Sequence, residues 1–236
     1  MTAFDLAIPT RVLAIGAHPD DIEFGCGATL AKWARAGAHV ELAVLTDGSK
    51  GTWDPQSDLA ALVATRQREQ RRAARMLGAG DVHFLGAVDG ELDAHADMRE
   101  RVCALVRAVR PAVVLGHDPW KQYRLHPDHH RAGELVIDGI VAARDPHFFP
   151  EAGAPHRPDH LLLFEAQVVD HVETVGDEDV TAKVDALLCH RSQWLSTMGI
   201  DEAGANAPAQ RAAFVAKVRD EAVDAAGEAF KLLSDL

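Results

Sequence analysis

The sequence predicts an α/β fold: a Rossmann-like, mostly parallel sheet flanked by helices, in a single domain spanning residues 1–236. Three observations support this. Strand-like apolar runs alternate with helix-length amphipathic segments through the first two thirds of the chain. Gly or Pro punctuates the end of each helix-like segment, at Gly37, Gly78 and Pro111. His-Pro-Asp strings follow two of the apolar runs, at the strand ends where open sheets bind ligands.

Residues 11–17, Arg-Val-Leu-Ala-Ile-Gly-Ala, read as a buried parallel strand, because such strands are apolar on both faces. A helix is expected from Gly27 to Ala36, stopped by Gly37, and a second strand from His39 to Thr46. The loop from Asp47 to Pro55 is rich in turn formers and too polar for a core, which makes 47–57 a candidate substrate loop. A second helix over 59–77, a short strand over 82–86 and an Asp89-Gly90 exit turn follow. Residues 98–110 form the third predicted helix and 112–116 the fourth strand. Later expectations are a helix at 128–143, a Pro-rich connection over 144–159 that also suits specificity, a strand at 161–165, and helices at 178–191 and 208–233.

With 236 residues, 47% apolar and 25% charged, the composition is that of a globular domain. No apolar run approaches the ~20 residues that span a bilayer. The first residues lack a basic, then apolar, export signal, so a cytoplasmic location away from membranes is expected. Three widely spaced cysteines argue against a disulfide framework, and Cys26 is read as a core residue rather than a ligand. A net charge of −12 disfavours nucleic acid as a partner. Self-association is left open.

His18-Pro19-Asp20-Asp21 leaves the first strand and His126-Pro127-Asp128-His129 follows the fourth. One parallel sheet brings both strings to a single rim. Nitrogen and oxygen donors grouped there suit a catalytic divalent ion, with zinc, one ion per chain, the leading choice and other divalent metals open. A catalytic zinc takes three protein ligands and keeps a position for water; His18, Asp21 and His129 are the expected three. His117 and Asp118, at the tip of the fourth strand, suit supporting or structural roles. His39, His83, His95, His147, His156, His160 and His171 read as surface, packing or strand-edge residues, and His130 as a surface residue.

Ala17-His18-Pro19-Asp20-Asp21, with Glu23-Phe24-Gly25-Cys26-Gly27-Ala28-Thr29-Leu30-Ala31, resembles the opening signature of the LmbE-like, or PIG-L, deacetylases. Arg66, Glu69, Ala73, Ala74, Leu77 and Gly78 resemble the family's second helix, Asp89-Gly90 its third exit loop, and His126 to His129 its second metal motif. Lys183, His190, Ser192 and Gln193 resemble a further family helix, and Glu228-Ala229-Phe230 its terminal one. The resemblance implies zinc-dependent removal of an N-acyl group, most often acetyl from an N-acetylglucosamine unit, on a small N-acetylated sugar substrate. Carried over position by position, it makes His18, Asp21 and His129 metal ligands and Asp20 the general base toward the attacking water. It makes His126 a protonated electrophile held by Asp128, and Arg66 and Asp89 contacts to sugar hydroxyls.

Ile22 stands where the family often has glutamate, and Ala28 where it often has glycine. Some members carry a tyrosine two positions before the second motif's first histidine; here that position is Arg124, with Tyr123 one residue off. A nucleotide-binding Rossmann domain is the rival reading, since Gly25-Cys26-Gly27 follows a strand, although Leu30 stands where the fingerprint needs Gly or Ala. A non-catalytic metal- or carbohydrate-binding module is the other, against which Asp20, unneeded as a ligand, argues for chemistry.

Overall fold

The computed structural model describes residues 3–93, 96–224 and 227–236; His95 lies outside them. Its strands are β1 (Ala3–Phe4), β2 (Arg11–Gly16), β3 (His39–Thr46), β4 (Val82–Ala87), β5 (Val113–His117), β6 (His160–Phe164), β7 (His171–Glu173) and β8 (Glu228–Leu233). Its helices are α1 (Asp21–Arg35), α2 (Leu59–Met76), α3 (Ala96–Val109), α4 (Pro127–Arg144), α5 (Asp177–Leu187) and α6 (Ala207–Asp224). Among the described residues the eight strands form one sheet in the order β1-β7-β8-β6-β5-β2-β3-β4. All pairs are parallel except those of β8 with β6 and β7.

β2 shows why the strands are apolar throughout. Leu13 and Ile15 enter one core with Val102, Val106 and Leu135 of α3 and α4. Val12 and Ala14 enter the other with Leu30 and Trp33 of α1. Alternate residues therefore serve opposite faces, and neither face is left for water. From β2 the chain runs outward to β3 and β4, then returns to place β5 on the other side of β2. That reversal opens a crevice at the carboxyl ends of β2 and β5.

α2 starts where Asp58 accepts from Ala61 N at 3.1 Å, and it stops at Gly78, whose φ is 73°. α4 starts with Pro127 at its first position, which needs no donor there. Two expectations are corrected. α1 begins at Asp21, six residues earlier than periodicity suggests, and breaks at Cys26, whose φ of −152° is not helical. Residues 228–233 are not the end of a terminal helix but strand β8, antiparallel to β6 and β7.

The two corrections are connected. The break at Cys26 frees backbone donors of the second half of α1, and Glu228 of β8 accepts from Ala28 N at 3.1 Å and Thr29 N at 2.7 Å. Lys183 of α5 balances the carboxylate at 2.7 Å. A residue 200 positions away thus caps half of α1.

The 144–159 segment lies at the opposite end of the sheet from the crevice. Arg107 gathers it with hydrogen bonds to the carbonyls of Asp145, Phe148, Phe149 and Gly153, and His156 Nε2 bonds to Pro111 O, just before β5. No helix among the described residues is long and apolar enough to cross a membrane.

Glu228→Ala leaves two amides without their acceptor and the Lys183 ammonium without its counter-charge, with only Phe24 O to bond, and is expected to lower folding stability by about 3 kcal/mol. Urea denaturation checks this against Glu178→Ala, at an exposed surface pair with Arg35, where the change should stay within about 0.5 kcal/mol. Equal midpoints for the two variants would rule out the remote cap.

Candidate active site

Ala17-His18-Pro19-Asp20 carries the chain from β2 onto α1, and His126 precedes α4, so both strings meet over the crevice. His18 Nδ1 lies 3.2 Å from His129 Nε2 and 3.3 Å from Asp21 Oδ2, and His129 Nε2 lies 3.3 Å from Asp21 Oδ1. Bonds of about 2.0–2.1 Å to a tetrahedral ion put ligand atoms about 3.3 Å apart, and each of these three pair distances matches that spacing, with a different Asp21 oxygen facing each imidazole. The cluster also offers His126, Asp89, Asp128 and His117 within reach of the same space. It is able to bind a metal.

Partners around the triangle decide which nitrogen of His18 faces it. His18 Nε2 lies 3.1 Å from Asp128 Oδ2 and 3.2 Å from Asp89 Oδ1, which keeps a proton on Nε2 and turns Nδ1 inward. Asp128 also accepts from Gly90 N at 2.7 Å and Leu92 N at 3.2 Å, tying the β4 exit to α4. Asp128 was expected to hold His126; among the described residues its hydrogen bonds go to His18 and these two amides instead. His126, half-exposed, stands edge-on to His18 with ring centroids 4.5 Å apart and its Nε2 3.9 Å from Asp89.

Asp21 is held by His117, whose Nε2 lies 3.2 Å from Oδ2, and by the His18 amide at 2.7 Å. Arg124 Nε donates to His129 Nδ1 at 2.7 Å and pairs with Glu165. That bond leaves the ring proton of His129 on Nε2, so coordination there requires Arg124 to release Nδ1. Tyr123 is 93% exposed and touches none of these groups. Asp118 shapes the turn by accepting from Trp120 N and Gln167 N, and His130, expected at the surface, bridges Pro119 O and Arg124 O.

The electrostatics follow from three buried carboxylates facing these rings. Burial opposes a charge on His18, but the hydrogen bonds that its ring N–H groups donate to Asp128, Asp21 and Asp89 outweigh it and push its pKa up to about 11. Burial also works against ionised Asp21, yet His129 and His117 hold it well below the usual carboxylate range. Asp20 goes the other way: burial raises it to about 6, against the pull of Arg66 and His190. His126 is pushed below the ordinary imidazole range, first by burial and then by His18 and His129.

A cavity of about 340 Å³ opens over the cluster. His18, Asp20, Asp21, Asp89, His126 and His129 form its floor, and Lys50 to Trp53 of the predicted substrate loop form one wall. Gln193, Ser196 and Thr197, after α5, form another; Gln193 belongs to the stretch that resembles a family helix, whereas Ser196 and Thr197 carry no periodicity or motif that points to them. A larger groove of about 710 Å³ along α6 is lined without any histidine. Arg66 lines the cavity, but its Nη1 and Nη2 donate to Gly48 O at 2.8 Å and Pro19 O at 2.7 Å. Asp89 accepts from Lys50 N at 3.0 Å.

Gly25 and Gly27 do not cradle a phosphate. Both lie inside α1, where an added Cβ would meet the Phe164 ring at 2.4 Å and Lys183 at 3.1 Å. They let α1 approach β6 and α5, which removes the observation behind the nucleotide-binding reading.

Residues 13–140 match the family model described as PIG-L: GlcNAc-PI de-N-acetylase. The chain belongs to the PIG-L family. The uncharacterized deacetylase YaiS of Escherichia coli K12 is 31% identical over 77% of this PIG-L chain and 90% of its own length. The diacetylchitobiose deacetylase of Thermococcus kodakarensis is 35% identical over 64% of the chain, and the match spans 62% of that protein. The structure of the N,N'-diacetylchitobiose deacetylase from Pyrococcus horikoshii superposes with a TM-score of 0.82 at 26% identity, covering 96% of this chain and 84% of that one.

Because His18 carries a second proton below its pKa of about 11, uptake of a divalent ion at this PIG-L site near pH 8 should release about one proton per ion. Calorimetry in buffers of different protonation enthalpy measures this. Heats independent of buffer would exclude His18 as the displaced group.

Proposed function

We propose that the chain removes the acetyl group from a small N-acetylated amino sugar by metal-dependent hydrolysis. The observation that carries this reading is the donor triangle of His18, Asp21 and His129, with edges of 3.2–3.3 Å, next to a buried carboxylate that is not part of it, Asp20. The names of the Thermococcus and Pyrococcus relatives supply the substrate class. When bound, a divalent ion, zinc first among the choices, supplies Lewis acidity that polarises an amide carbonyl and acidifies water.

In this reading His18, Asp21 and His129 hold the ion, and Asp128, Asp89 and His117 orient them. Asp20 takes one proton from the attacking water as the water oxygen bonds to the carbonyl carbon. His126 donates an N–H to the oxygen on which negative charge develops. Since burial pushes His126 down, that ring donates a hydrogen bond rather than a spare proton. Asp20, at about 6, returns its proton to the amide nitrogen as the C–N bond breaks, giving the amine and acetic acid, whose remaining proton passes to the amine so that ammonium and acetate leave. The two guanidinium bonds of Arg66 to backbone favour a shaping role over a direct sugar contact, while Asp89, Lys50 and Trp53 offer polar and aromatic surface to a pyranose ring.

Acetate release from N-acetylglucosamine, diacetylchitobiose and larger glycosides is the test. Turnover should vanish on chelation and return with zinc. Asp20→Asn should retain bound metal and lose about 10²–10⁴-fold in kcat. The base must be ionised, so kcat should fall as pH drops through about 6 in the wild type. Acetate release that survives complete metal removal would overturn the reading.

A further inference from the structure

Arg66 and Gln70 lie one helical turn apart on the buried face of α2 and reach the two ends of one peptide group. Arg66 Nη2 donates to Pro19 O at 2.7 Å, and Asp20 N donates to Gln70 Oε1 at 3.0 Å. The Pro19–Asp20 peptide is therefore held at both its carbonyl and its N–H by the same helix.

That peptide is one that needs holding. Asp20 has φ 98° and ψ −25°, a left-handed conformation that L residues avoid and that persists only where the surroundings enforce it. Gln70 is itself fixed, since its Nε2 donates to Glu23 Oε1 at 2.6 Å. Both Gln70 and Glu23 are fully buried. The amide has a single workable orientation: turned over, it would set its NH₂ against the Asp20 N–H and its oxygen against the Glu23 carboxylate.

We propose that Gln70 is a positioning residue for the reaction, holding the strained Asp20 backbone so that the Asp20 carboxylate faces the cavity. The role rests on the reading of Asp20 as the base. Gln70 does not line the cavity and touches no ligand of the donor triangle. Its loss should therefore spare ion and substrate binding while misdirecting the proton acceptor. A residue holding only the fold would move stability and leave kcat alone.

Gln70→Met keeps the length and removes both polar ends. The expected result is a kcat lower by about 10²-fold, KM within about twofold and unchanged bound metal. Hydrogen exchange should show the Asp20 amide exchanging faster. Unchanged kcat, or a fall that follows loss of metal, would overturn the proposal. The paired change Gln70→Glu with Glu23→Gln keeps one amide, one carboxylate and both hydrogen bonds, and should bring kcat back to within about tenfold of wild type. If Gln70→Met does not fold, the pair decides alone, and a loss beyond about 10²-fold in it overturns the clamp. Should the wild type release no acetate from any N-acetyl sugar, the proposed reaction fails; Asp20 amide exchange in Gln70→Met then decides the clamp, with faster exchange supporting it and unchanged exchange overturning it.

Discussion

The register between β2 and β5 is the constraint on which the site depends. Val12 pairs with Val113, Leu13 with Val114 and Ala14 with Leu115, so two strands about a hundred residues apart in sequence leave the sheet at the same height. Strand pairing therefore sets the exit of β2, with His18 and Asp21, beside His117 at the end of β5, and α4 brings His129 to the same place. A shift of one residue would turn every side chain of β2 to the opposite face and separate the donors. Both faces of β2 are packed by apolar layers.

Around that frame the charges are arranged against the ordinary preference of a protein interior. Asp21, Asp89 and Asp128 are largely withdrawn from water, and each faces an imidazole. Buried carboxylates demand compensating positive charge, and the protein supplies part of it through His18, pushed up to about 11, and His117, raised by Asp21 and Glu165 against its burial. The same demand makes the pocket attractive to a small cation. Asp20 stands next to this group but receives a different environment, with its amide in the α2 clamp and Arg66 Nη2 3.6 Å from its carboxylate. Two neighbouring aspartates are thus driven apart in acidity by their surroundings.

Much of this was legible in the sequence. Strands β2 to β6 are predominantly apolar runs, interrupted in their interiors only by Glu41 in β3 and His83 in β4, and their positions follow from pattern. The two His-Pro-Asp strings sit together because the first leaves β2 directly and the second opens α4 after a short loop from β5. The failures share a cause: long-range partners decided them. Glu228-Ala229-Phe230 has no local feature that separates a strand from the end of a helix; pairing with β6 and β7 makes it a strand. Asp128 is two residues from His126 in sequence, yet helix geometry turns it toward His18. The 144–159 segment looks like a variable substrate loop, but Arg107 draws it to the far end of the sheet. The Gln70 amide is invisible in sequence, because its importance comes from the peptide it touches.

The capping of α1 by Glu228 bears on the order in which the molecule assembles. Synthesis proceeds from the amino end, so Asp21 and the first half of α1 emerge long before β8 exists. Until residue 228 arrives, the second half of that helix has open donors at its break, and the sheet lacks its antiparallel member. A nascent chain can pair β2, β3, β4 and β5 early, yet the helix that begins with Asp21 waits for one of the last segments made. The second half of α1 is thus completed by one of the last segments made, while the strand ends that carry the cluster can already be paired.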